Sequence, residues 1–383
     1  MSQAARPARM GTLRSATVTD STEVEALRAA FAEHADTMAG RAPRWSQVSK
    51  AVATSEDAGP VLTALLQAAP PQRRPVLALA AVHDLALAHP HSPLAGLLAR
   101  TEPTVTAAAL WAAVIALVEE HEERFRHLVA TRHTQTNEVG RCAVVMPPLA
   151  EIAAEVGPLG LVEFGASAGL LLNLDRYRYR YTLDGETVGV DPEAPPNPTA
   201  TLTCGLRGAP VPSTTLPARP PTIASRLGVD PFPVNPADPE ATRWLQACVW
   251  PDQRDRLATL QHALAALRHW PVPVVRDDGV DRVPIELERV DAHPVMMSSW
   301  ALTYAPGPRR QELWDRLERL GRQRDLSLVL FEDPALVPEF PLPQRPDDRG
   351  RTVIAVIRWR SGRRQDQRLG TAHPHGYWWH REP

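Results

Sequence analysis

Lysine is almost missing from this chain: Lys50 stands alone among 42 basic side chains, and all the others are arginine. Against 44 acidic residues they leave a formal net charge of −2, so no positive surplus marks the chain for nucleic acid or for an anionic membrane. The arginines therefore carry no collective phosphate-binding signal, and position has to give each one its role. Cysteine is scarce as well. Cys142, Cys204 and Cys248 are odd in number, far apart and without a Cys-x-x-Cys pair, which argues against a disulfide framework or a cysteine zinc site and for reduced thiols in a cytoplasmic protein. Long apolar runs are also lacking. The longest, residues 107–118, falls short of the ~18 residues that suggest a membrane span, and residues 1–20, read as a flexible N-terminus, have no apolar signal-peptide core. The expected partner is a small molecule, with neither a membrane nor a nucleic acid.

What the chain does have is proline, 39 residues in 383, and a change of pattern half-way along. Residues 21–157 read as helix throughout. Thr22 and Glu25 make a capping box, and Val24, Leu27, Phe31 and Met38 recur near helical spacing until Gly40. Residues 61–69, 75–89, 104–131 and 138–156 follow as further helices. After Gly157-Pro158-Leu159-Gly160 short apolar strands alternate with helices: strands are expected at residues 161–165, 223–230, 272–276, 294–300 and 326–331, and helices at 169–175, 239–248, 252–270 and 309–324. A closing hairpin, 352–360 with 363–371, turns at Ser361-Gly362. This alternation predicts a parallel sheet with helices on both faces, closed by an antiparallel pair. Arg176-Tyr177-Arg178-Tyr179-Arg180-Tyr181 alternates with period two, as an amphipathic strand with its tyrosines inward. Residues 191–221, rich in proline, glycine and threonine, read as a long excursion.

The most informative stretch is Glu163-Phe164-Gly165-Ala166-Ser167-Ala168-Gly169, where a strand enters a small-residue turn and leaves as a helix. Two chemistries want that geometry. As Glu-x-Gly-x-x-x-Gly it is a nucleotide loop whose glycines let a ligand lie against bare backbone. As Gly-x-Ser-x-Gly it is a nucleophile elbow presenting Ser167, and the order Ser167, Asp333, then His373 or His375 suits an α/β-hydrolase esterase. That fold, however, needs strands and an oxyanion loop before the elbow, where this chain has helices.

The order of elements over residues 158–375 resembles class I S-adenosylmethionine-dependent methyltransferases. The resemblance implies a three-layer αβα, Rossmann-like methyltransferase-type sheet, with S-adenosylmethionine as cofactor. It places Glu163, Gly165, Ala166, Ser167 and Gly169 on the cofactor, Asp230, or more weakly Asp191, on its ribose, Asp277 and Asp278 near its adenine, and Ser298 within Met297-Ser298-Ser299-Trp300 near the reacting centre. The organisation expected is a helical lid or substrate domain at 21–157 and a methyltransferase-type domain at 158–383, with an inserted segment at about 176–221. The whole chain is also similar to a bacterial family known only as a domain of unknown function. That likeness rests on Gln135-Thr136-Asn137-Glu138-Val139-Gly140-Arg141, on residues 163–174 with Asp175-Arg176-Tyr177, on Trp244-Leu245 with Trp250-Pro251-Asp252-Gln253, and on His375-Gly376.

The remaining polar clusters divide by what surrounds them. His121-Glu122-Glu123-Arg124-Phe125 is one histidine short of a zinc helix and reads as a solvated face. His89-Pro90-His91 and His373-Pro374-His375 have no carboxylate or cysteine at ligand spacing, so no metal site is expected. Gln135, Asn137, Arg141, Trp250, Gln253 and Tyr304 are assigned to the substrate, in a cleft between the domains, with Glu138, His373 or His375 as the base. The plainer alternatives are an N-cap by Thr136 or Asn137 and a helix cap by Asp252. The expected activity is methyl transfer to a small polar molecule; the alternatives are the Ser167 esterase and a non-catalytic binding protein on the same scaffold.

Overall fold

The computed structural model describes residues 21–100, 105–194, 197, 199–208, 216–342 and 351–382. Expectations for residues 1–20 and for parts of the 191–221 excursion lie outside them. The chain divides into two compact units, one comprising residues up to Thr134 together with Trp250–Asp252, the other Gln135–Val249 with Gln253–Pro383.

The first unit is helical: α1 Ser21–Met38, α2 Pro43–Thr54, α3 Gly59–Leu65, α4 Pro75–Ala88, α5 Pro93–Ala99, α6 Ala107–Glu120 and α7 Glu122–Thr131. Helices α2 to α5 each carry a proline in their first two positions, where the missing N–H costs nothing and the fixed φ is already helical. This placement accounts for part of the proline excess. Helix α4 is buried on nearly every side from Pro75 to Ala86, as befits the centre of a bundle. The single helix expected over 104–131 is two, because the backbone leaves helical geometry at His121 (φ −122°, ψ 36°).

The second unit opens with a 3₁₀ turn, Val139–Arg141, and helix α8, Cys142–Val156. It continues through β1 Leu159–Phe164, β2 Arg178–Leu183, β3 Glu186–Val190, β4 Thr201–Gly208 and β5 Ile223–Asp230 to α9 Pro239–Ala247 and α10 Arg254–His269. Then come β6 Val274–Arg276, α11 Gly279–Arg289, β7 His293–Ser299, α12 Gly307–Gln323, β8 Leu326–Glu332, β9 Thr352–Arg360, β10 Arg363–Ala372 and β11 Trp378–Arg381. The strands form one mixed 11-stranded sheet in the order β3-β2-β4-β11-β10-β9-β8-β7-β1-β5-β6. Neighbours from β6 to β8 are all parallel, β9 runs against β8, and β10 runs against β9.

Alternation along β1 assigns its side chains to two layers. Leu159 and Leu161 pack with α8 and α10, while Val162 and Phe164 pack with α11 and α12. The sheet is therefore covered by helices on both faces, and α8 belongs to it, so the division falls at Gln135 and not at Gly157. Within the inserted segment at about 176–221 the described residues form three strands, of which β4 lies inside the 191–221 stretch read as an excursion. The turn Asp184-Gly185 has left-handed φ at both residues, as a two-residue hairpin needs, and β2, β3 and β4 lengthen the sheet. Tyr177, Tyr179 and Tyr181 point inward, their hydroxyls donating to the carbonyls of Leu170, Leu174 and Ala143. No helix among the described residues is long and apolar enough to cross a membrane.

Candidate functional site

Strand order reverses at β1: the chain passes from β1 out to β5 and β6, then returns to the other side of β1 for β7 and β8. Such a reversal opens a crevice at the carboxyl ends of the strands. At those carboxyl ends stand Glu163 of β1, Asp230 of β5, Ser299 of β7 and Glu332 of β8.

The loop after β1 is held by the protein itself. Gly165, Ser167 and Gly169 have left-handed φ of 77°, 53° and 78°. Gly165 and Ala166 donate their amides to Val229 O (2.8 and 3.3 Å), and Gly169 donates to Ala166 O (2.7 Å). Asp230 accepts from Ser167 N (2.7 Å) with one oxygen and from Phe232 N (2.8 Å) with the other. A Cβ on Gly165 would overlap Ala301, and one on Gly169 would overlap Val272. Backbone conformation and packing inside the protein thus account for both glycines, where the sequence suggested room for a ligand. The segment that follows is a 3₁₀ turn, Leu170–Arg176, in place of the expected α-helix. Ser167 donates its hydroxyl to Gln135 Oε1, and Gln135 Nε2 donates to Phe232 O (3.0 Å), so Gln135 ties this loop to the one after β5.

The other acids assigned to a cofactor are also engaged. Asp278 caps α11 through Val280 N (2.8 Å) and pairs with Arg309 (3.1 Å), while Asp277 accepts from Asp278 N. Asp191, at the far end of the sheet, pairs with Arg180. Ser298 donates to Glu332 Oε1 (2.7 Å), which also accepts from Ala301 N and Leu302 N. Glu332, the last residue of β8, thereby fixes the turn after β7. Burial pushes it up to about 6 against the pull of those bonds and of Arg141.

The polar groups that converge lie around Arg141. Its guanidinium, 6% exposed, donates from Nε to Pro374 O (2.9 Å) and from Nη1 to Ser299 O (3.0 Å). It thus joins the end of β7 to the turn after β10. Among the described residues it makes no ion pair. Three carboxylates, Glu138, Glu163 and Glu332, lie close to it or to one another. Glu163 is 3% exposed, and its carboxyl is pushed well above the ordinary range by burial first and then by Asp230, with Arg141 opposing. Glu163 Oε2, Glu332 Oε2, Ser299 Oγ and Asn137 Nδ2 are buried without a hydrogen-bond partner among the described residues. Unsatisfied buried polar atoms gathered at one strand edge are what a bound polar molecule would satisfy.

Beside Arg141, Glu138 forms a buried pair with Arg256 Nε (2.6 Å), and Arg256 also donates to Gln253. His375 Nδ1 lies 3.8 Å from Glu138 Oε2, and the His373 ring stacks on Tyr377 at 4.6 Å. Glu138 Oε1 accepts from Gly140 N (3.3 Å), so the cap of this turn comes from Glu138 and not from Thr136 or Asn137. Gly140 and Gly376 press backbone against backbone: a Cβ on Gly376, whose φ is 77°, would overlap Gly140 O. The segment containing Glu138 and Arg141 and the His375-Gly376 turn are thereby locked together.

Trp250, half-buried, groups with the helical unit, and Asp252 pairs there with Arg44 (3.2 Å) instead of capping α10. Tyr304 stands out into solvent after β7. Arg256, Ser299, Tyr377 and Glu332 were not assigned from sequence; for Glu332, its position at the carboxyl end of a parallel strand was the one signal available.

Over residues 28–381 the chain matches a family described as an uncharacterized protein conserved in bacteria (DUF2332). The chain belongs to this family. Its motifs around Glu138, Glu163 and His375 meet at one edge of the sheet, although they are far apart in sequence. No curated protein and no solved structure matches the chain.

Proposed function

We propose that the carboxyl edge of the sheet binds S-adenosylmethionine and that the protein transfers its methyl group to a small polar molecule. The supporting observation is the strand order: five parallel strands reversing at β1, with Glu163 next to last in that strand beside the reversal. The Rossmann-like methyltransferase-type reading of the fold rests on the same order, with the antiparallel β9 next to β8.

The residues present fit one end of that cofactor better than the other. Glu163, Ser299 and Asn137 offer unsatisfied buried groups of the kind that an amino-acid moiety would occupy. Asp230 and Asp278 have their carboxylates on main-chain amides and on Arg309, so they brace loops and leave the ribose and adenine without an assigned acid. When bound, the cofactor supplies an electrophilic methyl group; the protein's part is alignment and exclusion of water. Burial favours the neutral, O–H-donating form of Glu163, and the Glu138–Arg256 pair beside His375 is the assigned receiver of a proton leaving the acceptor. The esterase reading loses its support at Ser167, whose hydroxyl is bonded to a glutamine amide and to no imidazole among the described residues.

Calorimetric titration with S-adenosylhomocysteine tests the proposal. Wild type should bind, and Glu163→Gln, which keeps the shape and loses the acid, should bind at least tenfold more weakly with cooperative unfolding retained. No heat from the wild-type protein would sink the reading, and an unchanged affinity in the variant would remove Glu163 from it.

A further inference from the structure

Arg141 is a buried cation whose anchors are two carbonyl oxygens, Pro374 O and Ser299 O. Carbonyls hold a guanidinium in place without cancelling its charge. The nearby acids do not cancel it by contact: Glu138 is bonded to Arg256, and Glu332 Oε1 is bonded to Ser298, Ala301 and Leu302. The remaining nitrogen, Nη2, has no hydrogen-bond acceptor among the described residues.

Two exposed tyrosines stand on the loops that follow β7 and β10. Tyr304, 75% exposed, follows β7, and its phenol is among the groups acting on the charge of Arg141. Tyr377, 45% exposed, follows β10 and lies within the field of Arg256 and Glu138.

We propose that Arg141, with Tyr304 and Tyr377, forms a subsite for the carboxylate of the methyl acceptor, an organic acid whose planar body lies against the exposed tyrosines. One cation without an ion pair matches one negative charge. A phosphate dianion would add a second negative charge where Glu138, Glu163 and Glu332 already stand. The cofactor reading takes Glu163, Asn137 and the Ser299 hydroxyl for the amino-acid end, while Arg141 uses only the Ser299 carbonyl, so the carboxylate assigned here is that of the acceptor. The inference rests on the carboxyl edge being the binding edge and holds whether or not S-adenosylmethionine is the donor.

Benzoate is the probe, with benzamide as its uncharged isostere and inorganic phosphate as the competing anion, each titrated into the full chain and followed by ligand-detected NMR. Benzoate should bind the wild type, benzamide and phosphate at least tenfold more weakly. Arg141→Gln should lose benzoate binding by at least tenfold. Because Arg141 also anchors two loops, Tyr304→Ala and Tyr377→Ala provide variants that keep those anchors and remove the rings, and each should weaken benzoate severalfold. Saturating S-adenosylhomocysteine should leave benzoate binding in place. The subsite is overturned if benzoate does not bind, if benzamide or phosphate binds as well, or if a folded Arg141→Gln binds benzoate unchanged. Displacement of benzoate by S-adenosylhomocysteine overturns the assignment to the acceptor. Failure of S-adenosylhomocysteine to bind, with benzoate bound, would count against the donor alone.

Discussion

At the level of single residues, the protonation of Glu332 connects the site to stability. Its folded value of about 6 lies above the ordinary 4.5, so the folded state holds this proton more tightly than the unfolded chain does. The stability it contributes is complete below about 4.5 and is lost as pH rises to about 6. A shift of that size corresponds to roughly 2 kcal/mol. Glu332→Gln keeps an oxygen for Ser298 and the Ala301 amide while removing the titration. Urea unfolding should therefore show the variant gaining roughly 2 kcal/mol relative to wild type between pH 4.5 and pH 7. A difference independent of pH over that range would mean that the carboxyl does not titrate as the burial requires.

At the level of elements, the glycine loop carries a different prediction from the one its sequence suggests. Gly165 has a φ of 77°, and a Cβ there meets Ala301. Gly165→Ala should cost ~1–2 kcal/mol for the left-handed backbone and a further ~1–3 kcal/mol for overpacking. Ala301→Gly removes the contact and leaves the φ, so in a double-mutant cycle the overpacking share should be recovered and the backbone share retained. Strict additivity would show that Ala301 is not what requires the glycine. The same loop marks how far the sequence could be read. β1, β5, β7 and β8 were legible because each is a short apolar run ending at a glycine or a polar residue. β3 and β4 were not, since β3 is mostly exposed and β4 alternates between exposed and buried side chains within a proline- and threonine-rich stretch. Helix α11 escaped notice because Pro284 interrupts its pattern. Glu138, Arg141 and Glu163 were legible as polar residues beside apolar elements. That Arg256 would reach Glu138, and that Asp230 would brace the loop instead of facing a ligand, are tertiary facts with no local signature.

At the scale of the whole molecule, the sheet is assembled from strands distant in sequence. β1 lies between β5 and β7, and β11 pairs in parallel with β4. Stability should then be graded across the sheet, because an amide exchanges slowly only where both faces and both neighbours are in place. β1, β7 and β8 have both faces covered and a strand on each side. β3 is an edge strand with most of its residues exposed. β10 is mixed within itself: its first five residues, from Arg363 to Gln367, are exposed, and its last four are buried. Amide hydrogen exchange read by mass spectrometry should find β1, β7 and β8 exchanging only through global unfolding, and β3 exchanging first among the strands. Within β10, protection should rise from Arg363 towards Ala372, because that end is clamped between β9 and β11 at the edge where His373 to Tyr377 turn over the site. Uniform protection along β10 would mean that the hairpin opens as one piece. The loop carrying His375 and Tyr377 would then be free to leave Arg141 together with it.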